Sequence, residues 1–239
     1  FHFFFSAISV WIIETMADNV CTLAYEGNFE LMKLRLKENI QLATKLDDSQ
    51  RMPLHWAASA GHTEIAEYLL TLNVPVDARD ESNWTPLMIA VSAGRNQIVA
   101  NLIAKGAQVN AVNKTGQCPL HYAASKNRYE IAEVLLQMGA DPNIGDWMEN
   151  TPLHRAASLG HVKFIKLLLQ YNVDVNHKDS VGNTPLHLAC EEERAEAARL
   201  LVEHGACIAT LNKDEKTPLD LAPLGLKRAL ETISERAGR

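Results

Sequence analysis

The residue types in this chain that could bind a metal or carry out catalysis are nine histidines and four cysteines. Imidazole and thiolate groups bind zinc when they are closely spaced, and a histidine beside a nucleophile can act as its general base. The cysteines form no CxxC pair and have no metal-type spacing with histidine, which argues against a zinc site and a disulfide framework. Reduced thiols fit a protein of the cytoplasm or the nucleus. The four are Cys21, Cys118, Cys190 and Cys207.

Most of the histidines recur at a fixed spacing instead of clustering. Four of them end strings that read PLH and two occupy another recurring position: His55, His121, His154 and His187, and then His62 and His161. A histidine that recurs with the period of the scaffold is expected to make structural hydrogen bonds. The sequence contains no HExxH or GxSxG motif and no glycine-rich phosphate loop. We therefore predict no enzyme activity and no catalytic, metal or cofactor site.

Six prolines, each 33 residues after the last, organise the chain. They lie in strings such as MPLHWAA, CPLHYAA and TPLHLAC, and they are Pro53, Pro86, Pro119, Pro152, Pro185 and Pro218. The period and the TPLH signature resemble those of the ankyrin-repeat family. Counting back 33 residues from Ala57 reaches Ala24, which indicates a degenerate repeat before the six clear ones. The seven predicted repeats lie near residues 19–46, 47–79, 80–112, 113–145, 146–178, 179–212 and 213–239.

Each repeat carries the signals of two helices. Thr-Pro can start the first helix, because the threonine hydroxyl caps free N–H groups and proline is tolerated in the first turn. Paired leucines such as Leu69 and Leu70 give the second helix an apolar face that one repeat cannot bury alone. Residues that tolerate a left-handed backbone then end the second helix: Asn73, Gly106, Gly139, Asn172 and Gly205. The fold predicted is an all-α ankyrin-repeat solenoid of seven 33-residue helix-turn-helix repeats with β-hairpin-like tips.

Residues 17–239 are predicted to form a single ankyrin-repeat domain, and residues 1–16 a leader that is either non-native or disordered. The apolar stretch FHFFFSAISVWII is too short to span a bilayer as a helix, and no basic region precedes it. On this interpretation Met16 is the true start. The alternative is part of a secretory signal, although nothing downstream has secreted character.

The charge of the chain indicates the class of partner. Its formal net charge is -6 and its pI is near 5.9. Nucleic acids and anionic membranes select basic surfaces, so the sequence predicts protein partners, with no nucleic acid and no membrane. We expect a monomer that resides in the cytoplasm and the nucleus.

Candidate binding residues are found where the repeat makes no demand on residue type. Two such positions, two residues before each proline and directly after each PLH string, are expected to face the concave side of the solenoid. Aromatic and basic residues at and near these positions have the composition of binding hot spots, and we predict that they face solvent. The predicted protein-binding residues of this strip are Arg51, Trp56, Glu81, Trp84, Ile89, Arg95, Tyr122, Lys126 and Arg128.

Strings that the repeat does not dictate, among them ASKNR and QVNAVN, resemble the gankyrin family of ankyrin-repeat proteins over about residues 19–230. The resemblance implies an assembly chaperone of the base of the proteasome regulatory particle, which binds the C-terminal domain of a triple-A ATPase subunit. In that family, Arg51 and Lys126 match positions that pair with acidic groups of the ATPase. The resemblance also implies binding to cyclin-dependent kinase 4, and to the retinoblastoma protein through an LxCxE motif that Leu188, Cys190 and Glu192 match.

Departures from the family pattern affect the turns and one hydrogen bond. In ankyrin repeats the TPLH histidines tie turns together, and Met88 replaces that histidine in the third repeat, so one such bond is expected to be missing. Gln50 and Asn83 stand where glycine is preferred. Pro223 and Gly225 interrupt the helix pattern of the last repeat.

Two alternatives stay open. LxCxE ligands bind as extended strands, whereas here the string is predicted to lie on a helix with Cys190 facing the core. The match is therefore either a working motif or a coincidence of the repeat sequence. At the level of function, the alternative is an ankyrin inhibitor or adaptor of a cell-cycle kinase with no role at the proteasome.

If the leader lies outside the fold, deleting residues 1–15 will leave the helical circular dichroism signal and the melting temperature unchanged. Thermal unfolding of the full and shortened chains, followed at the same wavelength, measures this. A large drop in either quantity would show that the leader is part of the folded domain.

Overall fold

The computed structural model describes residues 19–237. Within this range the chain forms fourteen α-helices, one short 3-10 helix and no β-strand. The predicted leader, residues 1–16, lies outside the described residues. The all-α prediction is therefore confirmed for the part of the chain that the structure describes.

Two helices form each repeat. The first helices are α1 (Val20–Glu26), α3 (Pro53–Ala60), α5 (Pro86–Ala93), α7 (Pro119–Ser125), α9 (Pro152–Leu159), α11 (Pro185–Glu191) and α13 (Pro218–Leu221). The second helices are α2 (Phe29–Glu38), α4 (Thr63–Thr71), α6 (Asn96–Ala104), α8 (Tyr129–Gln137), α10 (Val162–Leu168), α12 (Ala195–Glu203) and α14 (Leu224–Ala237). The 3-10 helix Ile40–Thr44 follows α2. The interruption predicted in the last repeat is present at Pro223, because α13 ends at Leu221 and α14 begins at Leu224. Gly225 lies inside α14, so the prediction that it also interrupts the helix is wrong.

The helices group into two compact units, of which the first ends at Gln108 and the second begins at Val109. In the first unit α1 packs on α3 and α3 on α5, while α4 packs on α6. In the second unit the first helices α7, α9, α11 and α13 pack in chain order, and so do the second helices α8, α10, α12 and α14. Each unit thus stacks first helices on first helices and second helices on second helices. That residues 17–239 form one domain stays a prediction.

The core of each unit consists of the residues that the repeat pattern predicts. In the second helices from α4 to α12 the leucines are buried, and so are the paired alanines of the first helices, whose small side chains allow neighbouring helices to approach. Burying one leucine stabilises the fold by roughly 1.5–3 kcal/mol, so a single repeat without neighbours would lose most of its stabilisation. Representative core leucines are Leu69, Leu102, Leu135, Leu168 and Leu201.

The ends of the second helices follow the prediction with one exception. Asn73, Gly106, Gly139 and Gly205 all have positive φ angles, between 55° and 90°. Asn172 does not, so the prediction of a left-handed residue there is wrong. The chain instead tightens after α10, where the N–H groups of residues 170 and 171 donate to carbonyls three residues earlier. This turn satisfies the helix-end carbonyls without a left-handed residue.

Buried histidines join consecutive repeats within each unit. In each of them Nδ1 accepts a hydrogen bond from the backbone N–H three residues earlier, at 3.0–3.2 Å. A backbone N–H can only donate, so the neutral ring carries its proton on Nε2, which donates to a backbone carbonyl 29 residues later. We call these bonds the histidine links, and the histidines are His55, His121, His154 and His187.

Burial keeps the linking histidines neutral. It lowers the pKa of His154 to about 4, although the acceptor carbonyl and nearby Asp179 oppose the shift. Desolvation likewise lowers the pKa of His55, His121 and His187. Met88 occupies the same position in α5, fully buried, and its thioether cannot donate a hydrogen bond. The backbone N–H of Met88 donates to the Thr85 hydroxyl at 3.3 Å.

The tip of each repeat is a five-residue turn closed by an aspartate or asparagine. At Asp47, the backbone N–H donates to the Arg51 carbonyl at 2.9 Å, as in a β-hairpin. Its Oδ1 also accepts from the N–H groups of Ser49 and Arg51, both at 2.9 Å. The same pattern recurs every 33 residues, at Asp80, Asn113, Asp146, Asp179 and Asn212. The predicted hairpin-like tips are therefore present, without a strand assignment in the described residues.

The fourth residue of each turn has a left-handed backbone. Gln50 and Asn83, which replace the preferred glycine, adopt φ angles of 59° and 61°. Glycine would be less strained at these positions, and asparagine tolerates them better than glutamine does.

Neighbouring tips in each unit are also bonded to one another. The Glu81 N–H donates to the Ser49 carbonyl at 3.1 Å, and the Ser180 N–H donates to the Met148 carbonyl at 2.8 Å. Arg51 adds a charged bond between tips, since its Nε and Nη2 both lie 3.0 Å from Oδ2 of Asp80. The Asp80 side chain is only 2% exposed, and that of Arg51 is 30% exposed. Asp80 therefore depends on Arg51 for its charge compensation.

The neutral histidines predict that acid destabilises the protein before its carboxylates titrate. Below about pH 6.5 the unfolded chain binds protons on these rings and the folded chain does not, so the free energy of unfolding falls, and for His154 this continues to about pH 4. Each such histidine contributes a slope of about 1.4 kcal/mol per pH unit. Urea unfolding at about pH 7, 6 and 5 measures it.

The exposed His204 provides the control, because its replacement by asparagine should leave this slope unchanged. Equal free energies of unfolding at the highest and lowest of these pH values would contradict the prediction.

The pair of Arg51 and Asp80 predicts a stability loss when the cation is removed. Arg51→Ala leaves a buried carboxylate without its counter-ion and should cost on the order of 1–3 kcal/mol, less than a fully buried pair because Arg51 is partly exposed. Adding Asp80→Asn should recover part of that loss, which a double-mutant cycle measures. Lys126→Ala is the control, with an effect within about 0.5 kcal/mol. Wild-type stability of Arg51→Ala would contradict this role.

Candidate protein-binding surface

The cations at the start of the second helices have a structural role that repeats along the chain. Arg95 donates through Nε and Nη2 to the Ser59 carbonyl at 3.3 and 3.1 Å, near the end of α3. In the same way Arg194 donates to the Ser158 carbonyl at 3.0 Å. Gly61 leaves room for this arrangement, since a Cβ there would lie 2.8 Å from Cζ of Arg95. A positive charge at this helix end is also favourable. Arg95 therefore remains a candidate contact, but it is already bonded within the fold.

The histidines of this second recurring position do the same. Nε2 of His62 lies 2.9 Å from the Tyr25 carbonyl, and Nδ1 of His161 lies 2.9 Å from the Ala124 carbonyl. The expectation that these histidines serve the scaffold agrees with these contacts.

Arg51 and Trp56 lie together in the first unit. The Trp56 indole donates to Oδ2 of Asp47 at 2.7 Å, and Cζ of Arg51 lies 5.2 Å from the centre of its ring. Tyr25 packs edge-on against Trp56 with ring centres 5.5 Å apart. Both predicted residues are half-buried, and each has a polar group satisfied by a neighbouring turn.

Tyr25 was not predicted from the sequence, yet it is the most exposed part of this aromatic cluster, at 53%. Together with Trp56, Cys21 and Asp47 it lines an open cavity of about 430 Å³. The signal for Tyr25 is weak in the sequence, because the first repeat lacks the TPLH string that fixes the register.

Trp84 and Glu81 belong to the next tip of the first unit. Trp84 is half-buried and its backbone is held by Asp80 and His55, whereas the Glu81 side chain is exposed. Ile89, predicted to face solvent, is only 8% exposed, so this prediction is wrong. Every other residue of α5 from Pro86 to Val91 is buried too, which shows that an apolar side chain at this position packs among neighbouring helices.

In the second unit, Tyr122 and Lys126 differ in their freedom to bind. The Tyr122 hydroxyl accepts from the Asn113 amide and donates to the Gln117 side chain, both at 2.7 Å. Lys126 is exposed at the end of α7, and its ammonium makes no hydrogen bond or ion pair within residues 19–237. Arg128 is half-buried. Lys126 is therefore the predicted cation best placed to meet a partner.

The LxCxE string lies on α11, as predicted. Cys190 is fully buried, and burial raises the pKa of its thiol to about 12. Leu188 is half-buried and Glu192 is exposed just after the helix. A partner that binds this string as an extended strand could reach Cys190 only after local unfolding of α11.

Exposed apolar residues at the tips of the second unit were also missed. Trp147 is 74% exposed and Met148 is 54% exposed, although both follow Asp146 in the turn. The Trp147 N–H donates to the Thr115 carbonyl at 3.1 Å, which holds the residue in place. The 33-residue period locates the position of Trp147, where the other tips carry polar residues.

Two further observations concern metals and membranes. Within residues 19–237, no group of three or more histidine, cysteine, aspartate or glutamate side chains is arranged to hold a metal ion. No helix in the same part of the chain has the length and apolar content needed to cross a bilayer.

Comparison with known proteins extends these observations. A family model described as ankyrin repeats (3 copies) matches residues 20–113, 87–179 and 153–232. Over 62 residues the chain is 53% identical to the 26S proteasome non-ATPase regulatory subunit 10 of Mus musculus and 55% identical to that of Homo sapiens. The resemblance to the gankyrin family is confirmed over this segment, which is 26% of this chain and only 27% of each relative.

Solved structures share the fold over a longer range. The ankyrin repeat domain of Bcl-3, a member of the IkappaB protein family, is 23% identical with a TM-score of 0.79 and covers 90% of this chain and 97% of its own. The ankyrin repeat domain of human ASB11 is 25% identical with a TM-score of 0.78 and covers 90% of this chain and 96% of its own. Because the family model matches most of the sequence and the helix pairs superpose on these domains, the chain belongs to the ankyrin-repeat family.

Proposed function

We propose that this protein is a protein-binding scaffold that acts as an assembly chaperone of the proteasome regulatory particle base. Its partner would be the C-terminal domain of a triple-A ATPase subunit. The observation that carries the proposal is the identity of 53–55%, over 62 residues, to the 26S proteasome non-ATPase regulatory subunit 10. Ankyrin repeats bind other proteins, and the finer assignment follows that relative.

The charge and exposure of particular residues support an acidic partner. In the second unit Lys126 offers an uncompensated charge, and in the first unit Tyr25 and Trp56 offer aromatic surface beside a cavity. Aromatic residues and cations of this kind carry much of the binding energy at protein interfaces. Arg51 is expected to contribute less to binding, because its guanidinium already pairs with Asp80.

A kinase inhibitor or adaptor with no role at the proteasome is the alternative function. Such a protein would use the same kind of surface. The two functions are therefore distinguished by which partner binds, and not by which residues bind it. Binding to cyclin-dependent kinase 4 stays a prediction. Binding to the retinoblastoma protein through Leu188, Cys190 and Glu192 also stays a prediction, and the burial of Cys190 argues that it would require an opened α11.

Reversing the charge of Lys126 tests the proposal. Lys126→Glu should weaken binding to the isolated C-terminal domain of a proteasomal ATPase at least about tenfold, because an attraction to acidic groups becomes a repulsion. Isothermal titration calorimetry measures the affinity. Circular dichroism should show an unchanged fold, since the Lys126 side chain makes no contact that the fold requires.

The matched control is the double variant Lys163→Glu with Lys166→Glu. Both lysines are exposed on α10, a second helix, and their reversal should leave the affinity close to that of the wild type. An equal loss of affinity in the control, or wild-type affinity of Lys126→Glu, would show that Lys126 is not part of the binding site. Absence of binding by the wild-type protein, together with binding to a cell-cycle kinase, would favour the alternative function.

A further inference from the structure

A small cavity of about 170 Å³, lined by both polar and apolar side chains, opens between α7, α9 and α11 of the second unit. Two serine hydroxyls, an amide and a guanidinium line it, and leucine side chains complete the wall: Ser125, Asn150, Arg155, Ser158, Leu159 and Leu188. None of the residues predicted to bind acidic groups lies in it. Its chemistry therefore has to be derived from these six side chains and from His154, which also lines the cavity.

Arg155 supplies the positive charge of the cavity. One of its nitrogens, Nη2, pairs with Oδ2 of Asp146, whose side chain is 4% exposed. The other carboxylate oxygen of Asp146 accepts from the N–H groups of Met148 and Asn150. Burial raises the pKa of Asp146, but Arg155 and these N–H groups outweigh it, so the pKa lies below its usual range. The carboxylate is thus saturated by the fold, whereas the guanidinium is not.

The remaining polar groups of the cavity include donors that no acceptor in residues 19–237 occupies, although the serine hydroxyls and the asparagine amide can also accept hydrogen bonds. Arg155 has five N–H groups, of which Asp146 uses one, and Nε is buried with no acceptor in residues 19–237. Neither the side-chain amide of Asn150 nor the hydroxyls of Ser125 and Ser158 have a partner in this part of the chain.

The carboxylate paired with Arg155 is that of Asp146, which is not among the residues that line the cavity, and no lining residue carries a negative charge. The only other titratable residue at its wall is His154, whose two ring nitrogens are occupied by Thr151 and the Asn183 carbonyl. Burial lowers the pKa of this ring to about 4, so it is neutral. A cavity lined by a cation and free donors favours an anionic acceptor, and arginine favours a planar carboxylate.

The apolar part of the wall selects between the two acidic side chains. Leu159 is exposed at one edge, and Leu188 is half-buried at another. These leucines can pack against methylene groups while the donors bind the charged end. Glutamate has one methylene more than aspartate and makes better use of such a wall.

We propose that this cavity binds the carboxylate of a glutamate side chain presented by a protein partner. Arg155 is the charged contact, Ser125, Asn150 and Ser158 donate hydrogen bonds, and Leu159 and Leu188 contact the methylene groups. That the glutamate belongs to the ATPase domain rests on the function proposed above. The carboxylate site itself does not depend on that assignment.

A small-molecule titration tests the site without any partner protein. The probe is N-acetyl-L-glutamate methylamide, and the uncharged control ligand is N-acetyl-L-glutamine methylamide. In two-dimensional nitrogen–proton spectra of the full chain, the Nε–H signal of Arg155 should shift saturably with the glutamate compound, with a dissociation constant on the order of 10 mM. The glutamine compound should produce little shift. No shift with glutamate, or equal shifts with both compounds, would overturn the proposal.

Two variants make the test specific. Ser158→Glu places a carboxylate from the protein itself in the cavity and should abolish the shifts, while the Arg155 pair with Asp146 is kept. Lys163→Glu, on the exposed side of α10, adds negative charge outside the cavity and should keep them. Unchanged binding of the probe by a folded Ser158→Glu protein would overturn the assignment. Circular dichroism confirms that both variants fold.

A second arm connects the cavity to the proposed function. Ser158→Glu should weaken binding of the ATPase C-terminal domain at least about fivefold in calorimetry, and Lys163→Glu should not. If the wild-type protein binds the glutamate probe but not the ATPase domain, the proposed function fails and the carboxylate site stands. If the Ser158→Glu variant binds the ATPase domain with the affinity of the wild type, the glutamate is not supplied by that domain.

Discussion

The hydrogen bond from a buried histidine to the carbonyl of the following repeat is the interaction on which the structure most depends. Each repeat has too few apolar residues to form a core alone, so its leucines are buried only when the neighbouring repeat is held in register. The histidine fixes that register because its two nitrogens bind backbone groups 3 residues before it and 29 residues after it. It can do so only as a neutral ring, which burial ensures.

The same stacking uses polar groups that would otherwise be available to a partner. At each tip an aspartate or asparagine side chain accepts hydrogen bonds from the turn. At the start of some second helices a cation donates to a carbonyl of the preceding repeat. Arg51 and Arg95 are bonded in this way, whereas Lys126 is not. A surface residue of this protein is therefore a strong candidate for binding only when no neighbouring repeat already satisfies it.

The two buried aspartates show how similar pairs lead to different surfaces. Arg155 lies nine residues after Asp146 and pairs with it. The residue nine positions after Asp80 is Ile89, which cannot pair with a carboxylate, and Asp80 pairs instead with Arg51 of the preceding tip. Arg51 uses both Nε and Nη2 on Asp80, while Arg155 uses only Nη2 on Asp146. The remaining donors of Arg155 lie beside a cavity lined by serine and asparagine side chains. This difference makes the second unit the better candidate for recognising an acidic group.

The 33-residue spacing of Pro53 and its counterparts was enough to determine the helix pairs, the leucine core and the structural role of the histidines, because these follow from local periodicity and apolar burial. The sequence also shows the recurring aspartates and cations, but their roles became evident only from their hydrogen bonds in the structure. The burial of Ile89, the pairing of Arg51 and the cavity beside Arg155 were decided by tertiary structure alone. Each depends on which side chains of neighbouring repeats come within hydrogen-bonding or packing distance, and one repeat's sequence does not specify that.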